Sequence, residues 1–270
     1  MEDFLKPIKE EEHETETGDA KREGVRAVER AADILKCLGE GEMALSEISK
    51  RVGVHKTTVM RMLTSLENKG FVRKDKNNGK YSLHGGLLRL IHGVLNQNQG
   101  LVKVAYPVME ELWKKTRETI TLMARRGFER VCIAELPSPQ PLKYTVGIGL
   151  TIPLYVGSPG KLILAYMKGE EMSEYLKQVE LDKVTEKTIT DKASLLKELE
   201  LIKQRGWATS FGEYIKGVSS LSVPIFDQEN TIIASINLLG PYDRLGEEQL
   251  LEYLDDLKDA SRRISNNLGF

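Results

Sequence analysis

Cysteine and histidine are both scarce in this chain of 270 residues, which carries two of the first and four of the second. Cys37 and Cys132 lie far apart inside apolar-patterned segments and match no metal spacing. A disulfide framework is therefore excluded, and two buried free thiols are expected. His13, His55, His84 and His92 all fall in the first part of the chain, and nothing after residue 92 is a histidine. A Ser-His or Cys-His device, or a histidine-held metal, would have to borrow its imidazole from elsewhere. No enzymatic activity, cofactor or metal site is expected. Long apolar runs are missing too, since none approaches the ~20 residues of a membrane span. The N-terminus is acidic where an export signal would be basic and then apolar, so no membrane association and a cytoplasmic location are expected. At roughly 100–200 residues per domain the length suggests two domains.

The formal net charge of −1 hides an uneven distribution. Residues 1–24 carry nine acids against Lys6, Lys9, Lys21 and Arg22, a net of −5, with few apolar side chains. Such a segment cannot offset its ordering entropy and is expected to be a disordered acidic tail. Residues 25–84 carry twelve bases against seven acids, a net of +5. A compact basic module in a near-neutral chain is the footprint of a phosphate-backbone partner, although a solvated surface would have the same charge.

Periodicity separates the two readings. Val28, Ala31, Ala32, Leu35 and Leu38 recur at helical spacing before Gly39 and Gly41; Leu45, Ile48 and Val52 mark a short second helix before Gly53. Val59, Met62, Leu63 and Leu66 mark the inner face of a third, ended at Gly70. Its other face carries Lys56, Thr57, Met60, Arg61 and Thr64, and its first turn, with His55 and Thr58, is what a recognition helix offers to base edges and phosphates. Asn78-Gly79 then lies between two strand-like runs, a hairpin signal whose bases Arg73, Lys74, Lys76 and Lys80 fit a wing lying along phosphates. This order of elements is a winged helix-turn-helix, and double-stranded DNA is the expected partner. A protein- or RNA-docking winged helix is the competing class, and an enzyme with an appended DNA-binding domain the third.

The run from Arg26 to Leu83, followed in order by "VGSPGKLILAYM", "QRGWATSFGEYIKGVSSLSVPIFD" and "IIASINLLGP", resembles the IclR (isocitrate lyase regulator) family of bacterial transcription factors from about Val25 to the C-terminus. Ala44 and His55 depart from the usual helix starts, where a hydroxyl or small capping residue is common; each loss costs up to about 1 kcal/mol. Leu87, Leu88, Leu90, Ile91, Val94 and Leu95 continue at helical spacing, with a polar break at 96–100 and a further helix from Val102 to Thr116. The first of these reads as a linker helix; an intramolecular packing helix would look the same. The resemblance implies that it joins protomers into a homodimer or a dimer of dimers, which suits palindromic DNA.

The expected division is an acidic tail 1–24, a winged domain 25–84, a linker 85–101 and a C-terminal domain 102–270. In the last, strands are expected over Thr119–Arg126, Glu129–Glu135, Tyr144–Gly147, Trp207–Phe211, Val218–Phe226 and Thr231–Leu239. Helices are expected over Pro159–Lys168, Glu170–Val179, Thr190–Arg205 and Glu247–Asn267. Strands clustered on both sides of a helical middle favour α+β, and the resemblance implies a GAF-like fold with helices on an antiparallel sheet.

Gly157-Ser158-Pro159-Gly160-Lys161 lacks the glycine spacing of a phosphate loop, and Leu162 replaces the magnesium-binding hydroxyl, so an NTPase is not supported. Ser158 to Lys161 opens a helix, whose free amides would suit a carboxylate; a tight strand-to-helix turn with Pro159 at its first position is the other account. The resemblance implies a small-molecule effector, an organic acid, held by amides at Ser158 and Pro159, by Ser210, Ser220, Asn237 and Leu239 on late strands, and walled by Tyr144 and Ile152. Here Pro159 has no N–H, Ser210 replaces an aspartate, Ser220 a cysteine, and Asn237 and Leu239 replace serines. Glu213 matches an acidic family position for which a structural hydrogen bond is an equal account.

Overall fold

The computed structural model describes residues 25–268, and over 91–99 the backbone alone. The acidic segment 1–24, expected to be disordered, lies outside the described residues. The chain divides into two compact units, with the boundary between Ile91 and His92.

The first unit contains α1 (Arg26–Gly39), α2 (Leu45–Arg51), α3 (Lys56–Asn68) and a hairpin of β1 (Val72–Lys74) and β2 (Tyr81–Leu83). Ile34, Leu38, Ile48, Val59, Leu63 and Leu66 form its core with Val72 and Tyr81. The stripe on α1 is rotated from the one expected: Val28 is exposed, and Ile34 takes the inward phase with Leu38. The two helix starts without a capping hydroxyl find substitutes. Glu47 accepts the Ala44 N–H at 2.8 Å, and His55 Nδ1 accepts from the Thr57 amide at a long 3.5 Å while bonding its hydroxyl at 2.9 Å. Asn78-Gly79 lies in the wing turn, with Gly79 at φ +69. The connection is longer than two residues, closed by the Asp75 N–H to the Lys80 carbonyl at 2.8 Å. Met43 and Tyr81 exchange backbone hydrogen bonds, a bridge that adds a third backbone segment to the hairpin.

One helix, α4 (Gly86–Thr116), runs straight through the polar break expected at 96–100. Asn and Gln cost only a few tenths of a kcal/mol in a helix and glycine about 1 kcal/mol, too little to interrupt a pattern that is periodic on both sides.

The second unit is built on a six-stranded sheet of β3 (Thr119–Arg126), β4 (Glu129–Leu136), β5 (Thr151–Pro153), β6 (Ala208–Phe211), β7 (Val218–Phe226) and β8 (Ile232–Pro241). Their order is β5-β4-β3-β8-β7-β6, with every neighbouring pair antiparallel. The remaining helices are α5 (Gly157–Ala165), α6 (Gly169–Gln178), α7 (Lys192–Arg205), α8 (Glu247–Glu252) and α9 (Leu254–Asn267). This is the expected α+β arrangement, with helices packed on an antiparallel sheet. Two local expectations fail. Tyr144–Gly147 is not a strand; the edge strand is Thr151–Pro153, and between them Gly147 and Gly149 adopt φ +92 and +89, which breaks extended pairing. The closing helix is interrupted at Tyr253, whose φ −93, ψ 1 ends α8 and begins α9.

Strand alternation gives the sheet two unlike faces. Ile120 and Leu122 of β3, Leu221 and Val223 of β7, and Ile236 and Leu238 of β8 join Ala105, Met109 and Leu112 of α4 and Leu257 and Ile264 of α9 in one apolar core. The intervening residues Thr119, Thr121, Ser222, Ser235 and Asn237 are polar and fully buried. Helix α5 enters this unit with every residue buried, packed with α7 in a second apolar cluster. Its approach demands glycine at 160, where a Cβ would stand 2.2 Å from the Leu154 carbonyl oxygen and 2.6 Å from Arg130 Nη1. Gly160→Ala should therefore destabilise the second unit by about 1–3 kcal/mol, as forced overpacking does; a urea midpoint equal to that of the parent chain would refute this packing.

Candidate functional site

The winged unit presents its polar face as the sequence pattern implies. On α3, Lys56, Thr57, Met60, Arg61 and Thr64 are exposed, Thr58 is half-buried, and Val59, Leu63 and Leu66 face inward. In the wing, Arg73 Nε donates to Ser82 Oγ at 3.1 Å, which holds the guanidinium along the strand. The Lys74 ammonium lies 5.5 Å from the centre of the Tyr81 ring. Lys80 is 3.6 Å from Glu42 in an exposed pair, an interaction weak enough for a phosphate to replace. Lys76 is exposed in the loop between the strands. His55 is occupied as the cap of α3. The exit from the wing is fixed by Gly86, whose amide donates to the Gly70 carbonyl at 3.1 Å and whose Cα faces that oxygen so closely that a Cβ would stand 2.2 Å away.

In the second unit a cavity with about 450 Å³ of empty space, part of it open to solvent, lies at the start of α5 on the polar face of the sheet. Of the eight residues implied by the family resemblance, Tyr144, Ile152, Pro159, Ser210, Ser220 and Leu239 line it. Ser158 and Asn237 do not. Ser158 is fully buried, its hydroxyl shared between Ser220 Oγ and Ser222 Oγ at 2.7 Å each. Asn237 is fully buried within the sheet, where its amide donates to the Thr121 and Ser235 carbonyls at 3.1 Å. The pair of amides expected at Ser158 and Pro159 is broken by the proline, which brings no N–H.

Sequence reasoning missed most of the rest of the lining: Met123, Val146, Tyr214, Ile215 and Val218, and above all Arg130. The signal for Arg130 was present, because a charged residue stands in phase with Cys132 on a strand. The register sets Arg130 opposite Arg125 and Ile152, and Cys132 opposite Met123, so these side chains share the cavity face. Arg125 is paired with Glu171 at 3.1 Å. Arg130 is only 3% exposed and its Nη1 donates to the Pro153 carbonyl at 3.0 Å and to the Val156 carbonyl. Burial pushes its pKa down to about 10, with Tyr214, Tyr144 and Glu213 opposing the shift, so it remains cationic at neutral pH. Burial likewise raises Tyr144 to about 12.

Glu213 organises the mouth of α5. One carboxylate oxygen accepts the Gly157 N–H at 3.1 Å, and the other accepts from Lys161 Nζ at 2.6 Å. Gly157 adopts φ +74, which favours glycine, and the Lys161 side chain is 3% exposed. Glu198 adds a second carboxylate 3.5 Å from the same ammonium. The cation of α5 is thus neutralised by side chains around it, and Gly157's amide is already taken.

Cys132 is buried and its thiol is pushed up to about 12 by burial; Cys37 is half-buried rather than fully so. Among the described residues no cluster of histidine, cysteine or carboxylate side chains could hold a metal, and no helix is long and apolar enough to cross a membrane.

A basic winged helix-turn-helix joined in one chain to an α+β domain with a cavity at the start of α5 defines a DNA-binding regulator with an effector-binding domain. Residues 27–76 match the IclR helix-turn-helix domain, and residues 93–266 match the bacterial transcriptional regulator IclR C-terminal domain. The chain belongs to the IclR family of transcriptional regulators. It is 35% identical to the HTH-type transcriptional regulator KipR of Bacillus subtilis over 86% of this chain and 92% of that one. It is 34% identical to KdgR of Escherichia coli over 93% and 96% respectively. Among solved structures, IclR of Thermotoga maritima superposes with a TM-score of 0.75 at 32% identity, covering 90% of this chain and 98% of that one. The relatives are named as regulators, and the C-terminal domain is the effector-binding domain of the family.

Glu213→Gln should cost about 1–3 kcal/mol in urea unfolding, because it removes the nearest counter-charge of a buried ammonium and leaves only Glu198 beside it. Pairing it with Lys161→Met should recover much of that loss; a single substitution that unfolds at the parental midpoint would show that the pair does not hold α5.

Proposed function

We propose that this regulator binds a palindromic operator as a homodimer or dimer of dimers in the cytoplasm, and that an organic acid in the C-terminal cavity controls its affinity. Lys56, Thr57, Thr58 and Arg61 of α3 are the base- and phosphate-reading set, with His55 shaping the helix start. Arg73, Lys74, Lys76 and Lys80 carry the wing along the backbone. The division of labour assigns 25–84 to DNA, 85–101 to the linker and 102–270 to the effector. Tyr144, Ile152, Pro159, Ser210, Ser220 and Leu239 bound the effector, and Ser158 and Asn237 support it from behind by fixing the strands and α5.

The observation that carries the effector assignment is the cavity itself: of its thirteen lining residues one is charged, and that one is a buried cation. A site of that charge selects anions. Control then follows from linkage, since a ligand shifts a conformational equilibrium only by its difference in affinity for the two states.

Binding to a duplex selected from a random-sequence pool should weaken steeply with salt, with a log–log slope of about −0.9 for each phosphate contact. Arg61→Ala should cost about 1–3 kcal/mol and relax sequence preference, whereas Lys76→Ala should weaken all duplexes alike and flatten the slope by about 1. Affinity that is flat in salt, or retained on RNA or protein but lost on duplex DNA, would overturn the assignment.

A further inference from the structure

We infer that Arg130 is the anchor of the effector, holding a single carboxylate at the free edge of its guanidinium while an apolar body fills the rest of the cavity. This rests on the organic-acid reading of the cavity and specifies the acid. The guanidinium has two usable edges. Its Nη1 is spent on the Pro153 and Val156 carbonyls, which clamp the group in place. On the other edge Nε, buried in the protein, has no hydrogen-bond partner among the described residues. Nη2 lies on that same edge, 3.4 Å from where a Cβ of Gly157 would be, so glycine at 157 keeps a side chain off that edge. Nε and Nη2 project parallel N–H bonds, the geometry that grips the two oxygens of a carboxylate.

A buried charge without a carboxylate partner is costly unless something pairs with it. Its neighbours do not. Arg125, across the strand pair, is served by Glu171. Glu213 favours the charge through its field but makes no hydrogen bond to the guanidinium, its two oxygens serving Gly157 and Lys161. The partner is therefore supplied from outside, as an anion. Pro159 offers no N–H at the helix start and the Gly157 N–H is already taken by Glu213, so the anion is held by a side chain of β4 rather than by the backbone of α5.

The remaining lining limits the rest of the ligand. Met123, Val146, Ile152, Ile215, Val218 and Leu239 are apolar, and Tyr144 and Tyr214 offer hydroxyls. No second cation lines the cavity, so a second carboxylate would be buried unpaired. The class selected is a monocarboxylate with an aliphatic or aromatic body.

The test is calorimetric titration of the full-length protein with benzoate, cyclohexanecarboxylate and hexanoate, beside their neutral amides and beside succinate and glyoxylate. At least one of the three monocarboxylates should bind, with its amide and succinate weaker by about 10- to 100-fold, the range for losing charge-assisted hydrogen bonds. Arg130→Gln should weaken that acid by a similar factor while leaving its amide unchanged, and Arg130→Lys, which keeps the charge but not the fork, should fall between. Comparing acid with amide on the parent protein needs no variant, so a misfolded Arg130→Gln does not rescue the inference. Succinate or glyoxylate binding while the apolar acids fail, or equal binding by acid and amide, overturns the anchor and leaves the cavity a ligand site. Binding of the acid by folded Arg130→Gln at parental affinity does the same. Failure of every acid overturns both the anchor and the organic-acid reading.

Discussion

The ion pair between Glu213 and Lys161 is the constraint on which the C-terminal domain turns. Helix α5 is buried along its whole length and begins in a left-handed glycine, an arrangement with no intrinsic stability of its own. One carboxylate addresses both difficulties, taking the amide that opens the turn and the ammonium one helical turn later. Glu213 is itself held from behind, its carbonyl accepting the Thr188 hydroxyl at 2.7 Å and the Thr185 hydroxyl at 3.2 Å. The segment between α6 and α7 is thereby tied to the loop between β6 and β7. Both charges are paired within the protein and neither residue lines the cavity, whose one charged lining residue is Arg130.

The sheet beneath performs two tasks because its two faces have different chemistry. The face toward α4 and α9 is a closed aliphatic core whose contribution is burial. The face toward α5 carries hydroxyls and an amide, a less stable choice for a buried surface, and not every one of those atoms is satisfied: Ser235 Oγ and Asn237 Oδ1 have no partner among the described residues. Polar groups buried in this way cost stability, and they persist where a site needs them. Ser158 shows the exchange in detail. Its hydroxyl is consumed in holding Ser220 and Ser222, so it fixes the distance between α5 and β7 and leaves the wall of the cavity to its neighbours.

Much of this was legible in the sequence, and the parts that were not share a cause. The winged unit could be read because its helices are strongly periodic, its ends are marked by glycine and its hairpin by Asn78-Gly79. The phase of α1 is ambiguous in the sequence because Val28 and Ile34 are both apolar and only packing decides between them. The continuity of α4 is hidden in the sequence by the polar run at 96–100, which interrupts the periodicity flanking it. The resemblance to known regulators indicated six lining positions, Tyr144, Ile152, Pro159, Ser210, Ser220 and Leu239, yet nothing in it indicated Arg130. A cation in "RRGFERV" looks like one more solvated charge. Its burial becomes visible only when register sets it opposite Ile152 and under the turn at Gly157.

That register also bears on how the proposed ligand would act on the domain. Arg125 and Arg130 face each other across β3 and β4, a like-charge juxtaposition that disfavours the pairing of those strands. Glu171 relieves it on the outer side, at the end of the sheet where side chains are partly exposed. On the inner side Tyr214, Tyr144 and Glu213 favour the charge through their fields, but among the described residues no carboxylate is hydrogen-bonded to the guanidinium, whose Nη1 is held by the Pro153 and Val156 carbonyls. On the proposed anchoring, an anion in the cavity would supply the missing partner, and its binding would be coupled to the pairing of β4 and β5 and to the start of α5, which Arg130 joins through the Pro153 and Val156 carbonyls. Any state of the regulator in which that corner is differently arranged would then differ in affinity for the anion, and by reciprocity the anion would redistribute the states.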